Sequence, residues 1–126
     1  MSKLEALIKQ FDKAIERLEE VLNEPKNSIV RDSAIQRFEF SLDLAWKSVK
    51  AFLEEKKGVV CNSPKECFRE AFRQGILEYE DKWVIYVDMR NETVHTYKEE
   101  VADKIYKQLP EALNNFKGLI KIIKDS

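Results

Sequence analysis

The chain has 126 residues and carries 22 basic and 23 acidic side chains, which gives a net charge of -1. This length is enough for one hydrophobic core, so we expect a single domain spanning residues 1–126. The balanced charge excludes wholesale electrostatic binding to a polyanion, although it leaves room for a local basic patch.

Glycine and proline occur only three times each. Such sparse turn signals favour long helices over a β-sandwich. No apolar run approaches the roughly 20 residues that a membrane-spanning helix needs, and no charged leader with an apolar segment opens the chain. We therefore expect a cytoplasmic protein that does not enter a membrane.

Two cysteines, Cys61 and Cys67, have five residues between them. That is not a zinc spacing, and the single histidine cannot complete a metal-binding set. We therefore expect free thiols in a reducing cytoplasm, and neither a metal nor another cofactor.

The first two predicted helices are long. The first covers residues 3–23 and ends at the Asn23–Ser28 turn, which contains Pro25. The second begins between Ser28 and Asp32, runs to about residue 57, and has an apolar surface wide enough for a central helix. Gly58 follows where a left-handed helix cap is expected. The seam of the second helix consists of Ile35, Phe38, Leu42, Ala45, Val49 and Phe52.

Three shorter patterns complete the predicted fold. Ser63 caps a third helix that ends near residue 74, and Asp81 caps a fourth. A capping box from Thr96 to Glu99 opens the last helix, in which Pro110 predicts a kink. The sequence thus predicts an all-α, antiparallel bundle of about five helices. The third helix is expected to bury Cys67, Phe68, Ala71 and Phe72.

The segment from Trp83 to Tyr97 concentrates the reactive side chains. Arg90 falls on the apolar stripe of the fourth helix, and Asn91 lies four positions before His95. A guanidinium can bind two phosphate oxygens, and an imidazole with a pKa near ~6.5 can move protons at cellular pH. Together they suit metal-free cleavage of RNA by its own 2′-hydroxyl.

That reaction needs a general base and a general acid, whereas the chain has one histidine. Two copies facing each other across a two-fold axis would supply two. Positions 90 and 95 lie roughly 140° apart on a straight helix. They converge if the helix frays before His95, or if a second subunit supplies the other group.

Structural roles account for the same residues equally well. His95 is then a solvated or capping residue, Arg90 pairs with Glu39 or Asp43, and Tyr97 closes a loop. Several cations are either solvated faces or a patch that guides phosphate groups: Lys47, Lys50, Arg69 and Arg73.

The pattern Arg90-Asn91-x-x-x-His95-x-Tyr97 resembles the Arg-x4-His-x-Tyr signature of HEPN-domain proteins. The chain is similar, more specifically, to the short HEPN proteins known as nucleotidyltransferase substrate-binding proteins. The segments Arg37–Lys47 and Ser63–Gly75 also resemble this family, and the resemblance extends roughly from residue 3 to 123.

The resemblance implies a helical bundle that forms a homodimer and has a minimal nucleotidyltransferase, encoded nearby, as its partner. In the toxin–antitoxin version, the HEPN member is a metal-independent ribonuclease. Its catalytic arginine and histidine correspond to Arg90 and His95, with Asn91 as polar support. The nucleotidyltransferase neutralises it by adding AMP to the tyrosine, here Tyr97.

Two other functions remain compatible with the sequence. One is a non-catalytic subunit that presents a nucleotide or another substrate to the transferase. The other is a helical interaction module without a ligand.

Overall fold

The computed structural model describes the backbone of residues 1–95 and 98–126, with the side chains of these residues other than Val94 and His95. Within these ranges the chain forms helices and no strand, so the predicted all-α bundle is confirmed. The predictions for Thr96 and Tyr97 lie outside the described residues. The helices are α1 (Lys3–Leu22), α2 (Ser28–Phe52), α3 (Pro64–Arg73), α4 (Asp81–His95) and α5 (Glu99–Asp125).

Helix α2 is the centre of the bundle and contacts each of the other four helices. Its predicted seam is buried throughout, because every three- to four-residue step returns to the same face. The helix continues into one π-helical turn, Leu53–Lys57, and ends at Gly58, whose φ is +66°. The predicted left-handed cap is therefore confirmed.

The connection from α2 to α3 corrects the cysteine prediction. Cys61 and Cys67 form a disulfide, so the expectation of free thiols was wrong. The chain doubles back into α3 and brings the two Cα atoms to 5.2 Å, within the range that a disulfide spans. Both sulfur-bearing side chains are buried. The argument from free thiols to a reducing compartment therefore loses its basis.

The bounds of α3 agree with the prediction, whereas the burial of one of its residues does not. The Ser63 hydroxyl accepts a hydrogen bond from the Glu66 backbone N–H at 3.3 Å. Phe72, which was expected in the core, is exposed, because it lies at the edge of the face that buries Cys67 and Ala71. Gly75 follows the helix with a φ of +77°.

Helix α5 begins later than its predicted capping box. Lys98 occupies the cap position without a side-chain cap, and the first helical residue is Glu99. The helix then runs through Pro110 to Asp125. No helix in the described part of the chain is long and apolar enough to cross a lipid bilayer.

Candidate active site

Aromatic packing fixes the first half of α4. The Trp83 ring stacks on Phe68 with centroids 4.9 Å apart and meets Tyr86 edge-on at 5.6 Å. Phe116 of α5 lies 5.8 Å from Trp83 and 6.0 Å from Phe38 of α2. These five rings, which we call the aromatic cluster, join all four helices from α2 to α5.

The one hydroxyl in this cluster is satisfied. Tyr86 Oη accepts a hydrogen bond from the Asn115 amide at 2.7 Å. Burial raises the pKa of the Tyr86 phenol above its usual value, with the Asn115 hydrogen bond opposing it. Tyr86 therefore remains neutral at cellular pH and has a structural role.

The second half of α4 is tied to α2 by a polar contact that the sequence did not predict. Thr93 Oγ1 lies 2.5 Å from Glu39 Oε1 and 2.8 Å from the Arg90 carbonyl oxygen. Because an ionised carboxylate only accepts, the threonine hydroxyl donates to Glu39. The last turn of α4, which carries the candidate site, is thus held against α2.

Arg90 itself is half-buried on α4. Its Nε donates to Asn91 Oδ1 at 3.1 Å, so the amide orients the guanidinium. Within the described ranges, its terminal Nη groups form no hydrogen bond or ion pair. A half-buried cation whose donors are uncommitted can take up an anion at low cost in desolvation.

The alternative that Arg90 pairs with Glu39 or Asp43 is wrong. Glu39 accepts from Thr93, while Asp43 forms an ion pair with Lys47 at 2.8 Å and accepts from the Trp46 indole at 3.2 Å. Both carboxylates therefore have other partners.

The backbone also removes one way of bringing Arg90 and His95 together. Helix α4 is unbroken up to His95, so it does not fray before that residue. Five helical positions leave the two residues about 140° apart around the axis. The His95 side chain, its predicted contact with Asn91 and the position of Tyr97 lie outside the described residues.

A charge cluster around the buried Arg31 fixes the start of α5, just beyond that segment. The Arg31 side chain is only 4% exposed. Its Nη1 lies 2.6 Å from Glu99 Oε2 and 3.2 Å from Asp103 Oδ1, and its Nε donates to Asp32 at 3.0 Å. Lys26 also pairs with Asp103, at 3.2 Å. The cluster therefore clamps the first turn of α5 onto the first turn of α2.

Two carboxyl groups of the cluster titrate at lower pH than usual. Hydrogen bonding by Arg31 lowers the pKa of Glu99, and hydrogen bonds from Lys26 and then Arg31 lower the pKa of Asp103. The sequence contained a signal for this cluster. Arg31 precedes Ala34 and Ile35 by three and four positions, on the buried seam of α2.

A cavity of about 280 Å³ opens between α2, the last turn of α4 and the start of α5. We call it the α4-end groove. It lies beside the Glu39–Thr93 contact, and its apolar side chains adjoin a polar rim. This combination suits a small, flat group with hydrogen-bonding edges. Its lining includes Ile35, Gln36, Glu39, Thr93, Lys98 and Val101.

The four predicted phosphate-guiding cations fall into two separate places. Lys47 and Lys50 lie along α2 beside α1. On α3, Arg69 lies 3.5 Å from Glu80 and Arg73 lies 2.8 Å from Glu70. Among the described residues, none of the four contacts Arg90 through a hydrogen bond or an ion pair.

Comparison with known proteins defines the family. The model of the family described as nucleotidyltransferase substrate binding protein like matches residues 6–125. The chain therefore belongs to this HEPN-type family of nucleotidyltransferase substrate-binding proteins.

Individual relatives agree with this assignment. A curated Haemophilus influenzae protein named probable ribonuclease HepT is 39% identical over 94 residues, which make up 68% of this chain and 64% of the relative. The match thus spans less than two thirds of that relative's length. A crystal structure of a Thermus thermophilus protein, 34% identical, superposes with a TM-score of 0.86 over 90% of this chain and 98% of that one.

A third comparison concerns the fold alone. A Shewanella oneidensis HEPN toxin, solved tri-AMPylated and in complex with its MNT antitoxin, is 18% identical. It superposes over 100% of both chains with a TM-score of 0.82.

Proposed function

We propose that this protein is a metal-independent ribonuclease toxin that acts through Arg90 and His95 and is neutralised when a minimal nucleotidyltransferase adds AMP to Tyr97. The observation that carries the proposal is the guanidinium of Arg90, whose Nη groups have no partner among the described residues and which Asn91 holds on the helix that also carries His95. The name of the Haemophilus relative and the AMPylated state of the Shewanella toxin support it.

The proposed reaction is a transesterification. The Nη groups of Arg90 bind two oxygens of the scissile phosphate and stabilise the charge that develops on them. One His95 takes the proton of the 2′-hydroxyl as its oxygen attacks phosphorus. A second imidazole protonates the departing 5′-oxygen. The products are a 2′,3′-cyclic phosphate and a free 5′-hydroxyl.

The second imidazole comes from a second subunit. The chain has one histidine, and the unbroken α4 holds Arg90 and His95 on different sides of one helix. A two-fold axis beside the end of α4 would place both imidazoles and both guanidiniums in one cleft. We therefore propose a homodimer with RNA bound at the subunit interface.

Neutralisation follows from the position of Tyr97, two residues after His95. Its phenol oxygen attacks the α-phosphorus of ATP, pyrophosphate leaves, and the phenol proton passes to a base of the transferase. The added phosphate would occupy Arg90 and compete with RNA. With transferase and ATP, we expect a mass gain of one or more AMP units on Tyr97, and none in Tyr97→Phe. Addition at Tyr79 or Tyr106 instead would refute the assignment.

The ribonuclease proposal is tested by RNA cleavage in excess chelator. We expect wild-type activity and at least about a hundredfold loss in His95→Ala and in Arg90→Ala, the usual effect of removing such groups. Lys121→Ala, an exposed lysine of α5, is the control. Cleavage that His95→Ala leaves unchanged would show the catalytic assignment to be wrong.

A further inference from the structure

A second cavity, of about 480 Å³, lies between α1 and α2, beside the face of α2 that lines the α4-end groove. We call it the α1–α2 groove. Lys13 and Arg17 of α1 line one side, and Arg37, Phe40 and Lys47 of α2 line the other. The ribonuclease mechanism above uses neither this groove nor its aromatic side chain.

The groove is basic although the chain as a whole is not. Its lining contains four cations against one carboxylate, Asp43, which pairs with Lys47. In the part of the chain that the structure describes, Lys13, Arg17 and Arg37 form no ion pair. Arg37 Nη1 donates to the Arg17 carbonyl at 2.7 Å, which holds this guanidinium across the groove. Three positive charges thus remain available to an anion.

An exposed aromatic ring lies among these cations. Phe40 is 57% exposed, whereas Phe38, two positions earlier, is fully buried. A single exposed phenylalanine is common and needs no explanation by itself. An exposed aromatic ring surrounded by cations is typical of surfaces that bind single-stranded nucleic acid. On such surfaces the bases stack on aromatic rings and the phosphates contact Arg and Lys.

We propose that the α1–α2 groove binds single-stranded RNA, with one base stacked on Phe40 and the neighbouring phosphates held by Arg17, Arg37 and Lys13. This inference rests on the proposed action on RNA and adds a binding subsite outside the catalytic residues. RNA fits the groove better than a protein partner does, because four cations against one carboxylate match a polyanionic backbone.

The α1–α2 groove neighbours the α4-end groove on the surface of α2. Gln36, which lines the α4-end groove, and Phe40 are four positions apart on exposed faces, so they are neighbours on one ridge. A strand whose phosphate is bound at Arg90 can therefore cross this ridge and enter the α1–α2 groove.

The stacking contact is tested by binding of a fluorescein-labelled single-stranded RNA to the full-length His95→Ala variant, which does not consume the probe. We expect Phe40→Ala in this background to weaken binding about tenfold, and Phe40→Trp to restore it. Tyr79→Ala is the matched control, since Tyr79 is 56% exposed on the α3–α4 connection, and should leave affinity unchanged.

The phosphate contacts are tested by the salt dependence of the same binding. Arg17→Gln and Arg37→Gln should each reduce the slope of log affinity against log salt by about 0.7. Lys121→Gln, which removes one exposed charge from α5, should leave the slope unchanged. Circular dichroism melting identifies the variants that remain folded, and Lys13→Gln replaces Arg17→Gln if that variant does not fold.

Unchanged affinity and slope in folded Phe40 and arginine variants would overturn the proposal. It would equally be overturned if these variants lost co-purification with the nucleotidyltransferase while RNA affinity stayed the same, because the groove would then be a protein-docking surface. If wild type cleaves no RNA but Phe40→Ala still weakens RNA binding, the groove assignment stands and the catalytic one fails.

Discussion

The two halves of α4 are held in the bundle by different combinations of contacts. The first half packs through Trp83 and Tyr86 into the aromatic cluster. The second half also buries Met89 in the core, and it adds the Thr93–Glu39 hydrogen bond to α2. Apolar packing fixes where the helix lies, and directional polar contacts leave the Arg90 guanidinium available for a ligand.

The largest effect is expected in the aromatic cluster. Trp83→Ala removes a buried ring that contacts three others, and should lower the free energy of unfolding by about 3–5 kcal/mol. Denaturant unfolding measures this. Trp46→Ala on α2 is the control. Because the Trp46 ring is only half-buried, this substitution should lower the free energy of unfolding by less. If the two substitutions lowered the free energy of unfolding equally, the aromatic cluster would not be the main contact that holds α4 in the bundle.

The charge cluster around Arg31 should have the second-largest effect on stability. Arg31→Met leaves Asp32, Glu99 and Asp103 close together without their shared cation, and should cost about 1–3 kcal/mol, because the carboxylates are exposed enough to rehydrate. Thermal unfolding at low salt measures it. Arg73→Met, which breaks only a surface pair with Glu70, should change stability by less than about 0.5 kcal/mol.

The Glu39–Thr93 contact should have a smaller effect on stability and a distinct one on catalysis. Thr93→Val keeps the branched shape without the hydroxyl and should lower the free energy of unfolding by about 1 kcal/mol. Most of that loss should be coupled to Glu39→Leu in a double-mutant cycle, because leucine removes the acceptor. Because the contact holds the turn that carries Arg90, kcat for RNA cleavage should fall while KM changes little. Thr93→Ser should restore kcat; a loss in Thr93→Ser equal to that in Thr93→Val would contradict this positioning role.

The smallest expected effect is a pH dependence. The folded-state pKa values of Glu99 and Asp103 lie below their usual 4.5 and 3.8, so their stabilisation is complete above those values and is lost as pH falls through the lower ones. The difference in Tm between wild type and Glu99→Gln should be present at pH 7 and should shrink progressively as the pH falls below 4.5. A difference that persists in acid would show that charge pairing is not its cause.

Apolar periodicity predicted the parts of the molecule that apolar contacts determine. The steps of three and four along α2 identified the central helix, and Gly58 marked its end. Phe72 was assigned to the core wrongly because periodicity does not show where a buried face ends. The disulfide was missed because its formation depends on how the chain doubles back between Cys61 and Cys67.

Polar contacts between distant segments were not predictable in the same way. The Glu39–Thr93 bond joins residues 54 positions apart, and the Arg31–Glu99 bond joins residues 68 apart. Spacing rules identify charged neighbours within one helix, but they do not predict contacts between distant helices such as these two. The segment from Arg90 to Tyr97 was recognised by its resemblance to the HEPN signature, while its catalytic role and its partner across a dimer stay predictions.

The central claim, that one cleft needs groups from two subunits, is tested most directly by subunit mixing. Wild type is unfolded with the inactive His95→Ala variant, refolded together in equal amounts, and assayed for RNA cleavage in chelator. If both imidazoles belong to one cleft, only dimers of two wild-type subunits are active, and random pairing makes these about one quarter of all dimers. Activity at equal total protein should therefore fall to about one quarter of that of wild type alone. Activity of about one half, which independent sites within each subunit would give, would contradict the account.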